Sequence, residues 1–163
     1  MSRSITDFLE ALPPELSVFI AAMLPILELR GAIPFARFLG MDPLEAYLLA
    51  VFGNLLPVPF ILWLLGPVTA MAERHWPWLH RFLNRLYSWS HRRNNAKFER
   101  LRDLALITFV AIPLPVTGAW SGALAAFVFG VQRRRALGLI SIGVMIAGVI
   151  VLALTYGVTA FLK

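Results

Sequence analysis

Glu28 and Arg30 stand two residues apart in Pro25-Ile-Leu-Glu28-Leu-Arg30-Gly31-Ala32-Ile33-Pro34-Phe35-Ala36-Arg37, inside the largely apolar stretch from Pro13 to Gly40. At the centre of a helix in a bilayer, one charged side chain costs about 2.5–3.5 kcal/mol on insertion scales. Two such groups must therefore be paired with each other, wetted, or bound to a ligand. A carboxyl group there can carry a proton, since burial opposes its ionisation while a neighbouring arginine favours it. The arginine can bind a phosphate or carboxylate through its planar fork. A second constellation lies in Pro113-Leu-Pro115-Val-Thr117-Gly118-Ala-Trp120-Ser121-Gly122, where Thr117, Ser121 and the N–H groups around Gly118 and Gly122 are available to an anion. A fixed Glu28–Arg30 pair that only stabilises its turn is the competing reading.

These residues need elements to hold them, and proline and glycine mark where those elements break. Pro25 precedes the pair, and Gly31 and Pro34 follow it. The arms on either side are too short to cross a membrane at 1.5 Å per residue. Pro13–Gly40 is therefore expected to be a re-entrant hairpin of two half-helices, the second starting at about Gly31-Ala32. Such half-helix N-termini carry positive polarity to mid-membrane. Asp42-Pro43-Leu44-Glu45 reads as a helix start with Asp as N-cap and Pro at the first position. A full span follows to about Leu65, stopped by Gly66-Pro67 and kinked at Pro57 and Pro59 beside the polar Asn54.

Offset by 90 residues, the chain matches itself at Phe19/Phe109, Pro25/Pro115, Gly40/Gly130 and Gly53/Gly143, and again at Val68-Thr69-Ala70 against Val158-Thr159-Ala160. Two copies of one unit are expected, repeat 1 over about 13–70 and repeat 2 over about 104–161, with a basic linker at about 71–103. Gly138, Gly143 and Gly148 in the last span should let another helix approach closely. The fold class is then an all-α integral membrane protein of two inverted-topology repeats, each a re-entrant hairpin followed by one transmembrane helix.

Composition supports the membrane. Of the 163 residues 59% are hydrophobic and 15% charged, against about 45–50% and 25% in soluble domains. The segments 47–65 and 136–162 hold no charged residue. The absence of cysteine excludes thiolate and disulfide chemistry. Arg3, Asp7 and Glu10 near the start do not read as a cleavable signal peptide. The net charge of +6 is concentrated in the linker and in Arg133-Arg134-Arg135, so it points to anionic lipid and not to nucleic acid. By the positive-inside rule both clusters lie on the cytoplasmic side of a bacterial inner membrane, with both termini outward. Trp78, Leu79, Phe82, Leu83, Leu86 and Tyr87 recur at helical spacing, with Arg81, Arg85 and Arg92 between them. They make a basic amphipathic helix on the membrane surface, with Trp76, Trp78 and Trp89 at headgroup level. His75, His80 and His91 lie in that linker as solvated or lipid-facing groups. No metal site, cofactor or catalytic constellation is read, so the chain is not expected to be an enzyme.

The strings ELRGAIP (28–34) and PLPVTGAWSGA (113–123) resemble the bacterial family described as putative small multi-drug export proteins, over nearly the whole chain. Val116 stands where that family's second motif has glycine. The resemblance implies small-molecule efflux. The hairpin-plus-span plan is also similar, more distantly, to the DedA (VTT-domain) membrane proteins, which implies proton-linked movement of lipid phosphates.

The leading expectation is a transporter with a midplane site between two opposed hairpins, moving an anionic or amphiphilic substrate such as a lipid phosphate. Its site residues are Glu28, Arg30, Gly31, Pro34, Arg37, Asn54, Pro115, Thr117, Gly118, Trp120, Ser121 and Gly122. Among these, Arg37 also reads as a snorkelling arginine at the outer interface, and Trp120 as a packing residue. The alternatives are an exporter of cationic drugs with Glu28 as counter-ion, and a non-transporting scaffold that recruits partners through its linker. Expected partners are membrane lipids, the substrate, protons and, given so small a bundle, a second copy in a homodimer.

Overall fold

The structure is a computed structural model that describes residues 12–75, 81, 96–114 and 117–157. The amphipathic reading of 76–93, Pro115, Val116 and the 158–160 end of the repeat lie outside the described residues.

Every regular element in the described residues is helical. In chain order they are α1 (Pro14–Met23), α2 (Glu28–Phe38), α3 (Pro43–Leu55), α4 (Pro57–His75), α5 (Ala96–Ala111), α6 (Ala119–Val128) and α7 (Arg133–Leu152). A π-helical turn, Ala153–Gly157, continues α7. Two stretches are long and apolar enough to cross a membrane, Pro43–Met71 and Arg133–Gly157. In each, only a third of the most apolar window is buried. A helix at the core of a soluble domain would be covered on most sides, so these apolar faces belong against lipid.

Local chemistry explains several boundaries. Asp42 Oδ1 accepts the Leu44 N–H at 2.9 Å and Pro43 opens α3, as its sequence requires. Gly40 and Gly130 both take positive φ, at 77° and 64°. Each closes its helix with paired bonds: Gly40 N–H to Arg37 O and Met41 N–H to Ala36 O, then Gly130 N–H to Phe127 O and Val131 N–H to Ala126 O. Pro57 and Pro59 fall in the first turn of α4, where their missing N–H groups have no partner to lose, and the long span breaks at Leu56.

Three boundaries differ from the sequence reading. α2 begins at Glu28, so the turn is residues 24–27 and both Gly31 and Pro34 lie within a helix. Pro34 is exposed. α4 runs through Gly66-Pro67 to His75. There the Thr69 hydroxyl lies 2.7 Å from Leu65 O and 2.9 Å from Gly66 O, bonding back onto the turn around Pro67. α5 begins at Ala96, well before residue 104.

The packing pairs recur at the 90-residue offset. α1 lies on α2 and α3, and α5 lies on α6 and α7. α2 also reaches α7, and α6 reaches α4. Glycine permits the tightest crossings. A Cβ on Gly53 would run into the carbonyl oxygen of Phe19 on α1, and one on Gly143 would lie 2.7 Å from Val110 Cβ on α5. Gly148 does the same for α3, where a Cβ would be 2.7 Å from the Tyr47 ring. Gly138 has nothing within 4 Å and makes no such crossing, contrary to expectation. The core these crossings enclose is rich in alanine, valine and isoleucine, with Ile33 and Ile140 its largest fully buried side chains.

Candidate functional site

The two interhelical turns meet. Residues 24–27 lie between α1 and α2, and the described residues 112–114 and 117–118 lie between α5 and α6. Glu28 opens α2 with φ of +46°, a left-handed conformation that costs a non-glycine residue about 1–3 kcal/mol. Its N–H is bound to Leu24 O at 2.9 Å. That strain turns the carboxylate across the gap, where it is 8% exposed. Oε1 accepts the backbone N–H of Trp120, at the start of α6, at 3.4 Å. Oε2 lies 3.7 Å from Arg30 Nη2, a charge pairing looser than a hydrogen bond.

Arg30 is two residues further along α2, and it reaches the opposite turn. Its Nη2 donates to Thr117 Oγ1 at 3.2 Å. Thr117 in turn holds its own turn closed, accepting the Leu114 N–H at 3.1 Å and lying 2.7 Å from Ile112 O. Ser121 Oγ accepts the Gly118 N–H at 2.9 Å and so caps α6. The Trp120 indole N–H donates to Met23 O at 3.1 Å, satisfying a free carbonyl at the end of α1. A Cβ at 118 would fall on the Glu28 carboxylate, so any side chain there requires that carboxylate to turn aside.

The meeting turns border an open cleft of about 720 Å³, lined by Glu28, Arg30, Gly31, Trp120 and Ser121 among apolar residues that include Ile26 and Leu124. This is the size and mixed character of a small-molecule site. The one acidic and one basic side chain sit at its wall, and the apolar residues form the rest.

The sequence profile of the family described as "putative small multi-drug export protein" matches residues 28–150. The chain belongs to this family. No curated protein and no solved structure matches it. The match begins at Glu28, the residue that follows the first turn, and takes in α2 and the second turn.

In this member of the small multi-drug export family, the residues singled out from sequence divide into three groups. Glu28, Arg30, Gly31, Thr117, Gly118, Trp120 and Ser121 come together at the turns. Asn54 lies behind them, 1% exposed, beside a smaller cavity. Pro34, Arg37 and Gly122 lie elsewhere. Pro34 is on the exposed face of α2. Arg37 stacks over the Tyr156 ring at 5.1 Å. Gly122 faces Val110, whose Cγ2 would be 2.5 Å from an added Cβ.

Sequence reasoning missed Met23, whose carbonyl anchors Trp120, because a backbone acceptor carries no residue signature. It also missed the cluster at the basic end, where Arg135 binds Glu99 at 2.9 Å and also Asp103. The spacing of Glu99 and Asp103, one turn apart on one helix, with the run Arg133-Arg134-Arg135 later in the chain, held that signal.

Proposed function

We propose that this chain is a small transporter of the bacterial inner membrane whose substrate site is the cleft between the two turns. It moves an anionic amphiphile such as a lipid phosphate, linked to a proton carried by Glu28. The observation that carries this reading is the contact between Glu28 and the start of α6. Helix N-termini attract anions, and here the protein's own carboxylate holds that place, with Arg30 alongside. Protonating Glu28 removes its charge and frees both the α6 N-terminus and Arg30. A phosphate or carboxylate headgroup then takes the position, and its chain lies against Ile26 and Leu124. Proton and anion move together.

The membrane arrangement follows from helix lengths. α1 has 10 residues and α2 has 11, so each rises about 15 Å, half of a roughly 30 Å hydrocarbon core. α6, with 10 residues, is equally short. The turns are therefore proposed to be tips of two re-entrant hairpins that enter from opposite faces and meet near the midplane, as in other inverted-repeat transporters. The recurrence of packing pairs at the 90-residue offset supports two copies of opposite topology. The cluster of Arg135 with Glu99 and Asp103 then belongs to the cytoplasmic side.

Binding of a long-chain alkyl phosphate to purified protein tests the reading. Affinity should rise as pH falls, because proton and anion are taken up together, and Glu28→Gln should bind at neutral pH without that dependence. Affinity that rises with pH would overturn it.

A second reading is export of lipophilic cations, favoured by the family's description and by the buried carboxylate. It predicts the reverse: Glu28→Gln abolishes binding, and cation affinity rises with pH.

A further inference from the structure

Behind the cleft, Glu28, Arg30 and Gly118 also border a second, narrow space completed by Asn54 on α3, Val110 on α5, and Val144 and Ala147 on α7. About 10 Å³ of it is open to the centre of a water, which is the room one water molecule needs. Among these lining residues only Glu28, Arg30 and Asn54 have polar side chains. Asn54 is 1% exposed, and its Oδ1 has no hydrogen-bond partner among the described residues. An unpartnered buried carbonyl is costly in any interior, and more so where lipid surrounds the protein. The helix bearing it ends one residue later, at Leu55, and the next N–H, that of Leu56, is spent on Phe52 O at 3.1 Å.

We infer that this space holds one buried water that links Asn54 Oδ1 to the Glu28 carboxyl, and that Asn54 is the positioning residue for proton exchange at Glu28. The inference rests on the proton-carrying role of Glu28 given above. A water satisfies both protonation states without a change of place. When Glu28 is ionised, the water donates one hydrogen to the carboxylate and the other to Asn54. When Glu28 is protonated, its O–H donates to the water, which keeps its bond to Asn54. Arg30, on the same helix, is the only other charged group bordering the space. From α3 comes Asn54, from α5 Val110, from α7 Val144 and Ala147, and from the second turn Gly118 and the Trp120 N–H. None of these titrates. The proton is therefore held by a polar partner on the α3–α7 side while the substrate occupies the cleft side.

Infrared titration of the full-length, substrate-free protein tests this directly, the Glu28 carboxyl band being assigned by its loss in Glu28→Gln. Asn54→Leu keeps the volume and removes the acceptor. It should move the Glu28 band to that of a carboxyl without a hydrogen-bonded water and abolish a water O–H band that shifts in H₂¹⁸O. It should also slow deuterium exchange at the carboxyl at least about tenfold, the factor expected for one hydrogen bond to a charged group. If Asn54→Leu does not fold, Val144→Leu fills the space from α7 and should remove the same water band. A Glu28 band and exchange rate unchanged in the variant that folds would overturn the inference. Substrate-driven proton flux, measured separately in proteoliposomes, judges the transport reading: a water band without flux leaves the buried water standing and removes its role in transport.

Discussion

The turn at 24–27 leads into a carboxylate and a guanidinium, whereas the turn at 112–118 supplies no charge, only the Thr117 hydroxyl, the Trp120 N–H and bare backbone at Gly118. At the 90-residue offset, Glu28 corresponds to Gly118 and Arg30 to Trp120. Corresponding positions 28 and 118 are the ones that touch, and a side chain at 118 would occupy the place of the one at 28. Where two turns meet face to face at offset-matched positions, bulk on both must compete for one place. The asymmetry between the turns fits that contact. One turn supplies the charge, and the other supplies the donors and the space.

The largest effect should come from denying that space. Gly118→Ala drives a methyl into the Glu28 carboxylate and should destabilise by about 3 kcal/mol, the upper end for overpacking. Thermal unfolding in detergent measures it, and adding Glu28→Ala should restore most of the loss. If the single variant melts like the parent, the face-to-face contact is wrong. Next, the exchange of Glu28→Gly with Gly118→Glu moves the bulk to the other copy. It should recover more than half of the Gly118→Ala deficit, helped by relief of roughly 1–3 kcal/mol of left-handed strain at 28.

Gly53→Ala and Gly143→Ala compare the copies away from the site. The first meets a backbone carbonyl and should cost about 2 kcal/mol, while the second meets chiefly the Val110 side chain and should cost less. Val110→Ala should ease the second and leave the first untouched. Arg30→Ala and Trp120→Phe each remove one hydrogen bond between the turns, worth about 0.6–2 kcal/mol within a membrane protein. The arginine variant alone should weaken alkyl phosphate binding. The smallest effect has the opposite sign: Gly138→Ala, with open space around it, should stabilise by about 0.5–1 kcal/mol through helix propensity.

Much of this was legible in the residues because local chemistry decided it. The Asp42-Pro43 start, the Gly40 and Gly130 stops and the break near Pro57 are settled within one turn of chain. The partnership of Glu28 with Arg30, and the gathering of Thr117, Gly118, Trp120 and Ser121, were visible as polar or breaking residues in apolar surroundings. What was not visible depended on neighbours distant in sequence. Gly31 and Pro34 looked like breakers, yet packing of Leu29, Ala32, Ile33 and Ala36 holds α2 helical through both. α4 likewise runs on through Gly66-Pro67 to His75. The anion at the α6 N-terminus turned out to be Glu28 itself, a pairing across 92 residues that no spacing rule announces.

The final helix is fastened at its two ends to different halves of the molecule. At its start Arg135 grips Glu99 and Asp103 on α5. Beyond its end Tyr156 donates to Met41 O at 3.1 Å and lies under Arg37 of α2. Between these anchors the winding loosens into the π turn at 153–157, a form that recurs at functional positions in helices. A beam clamped at both supports yields where its section is weakest. Relative tilting of the halves would therefore be absorbed in those five residues, leaving the rest of the rod straight.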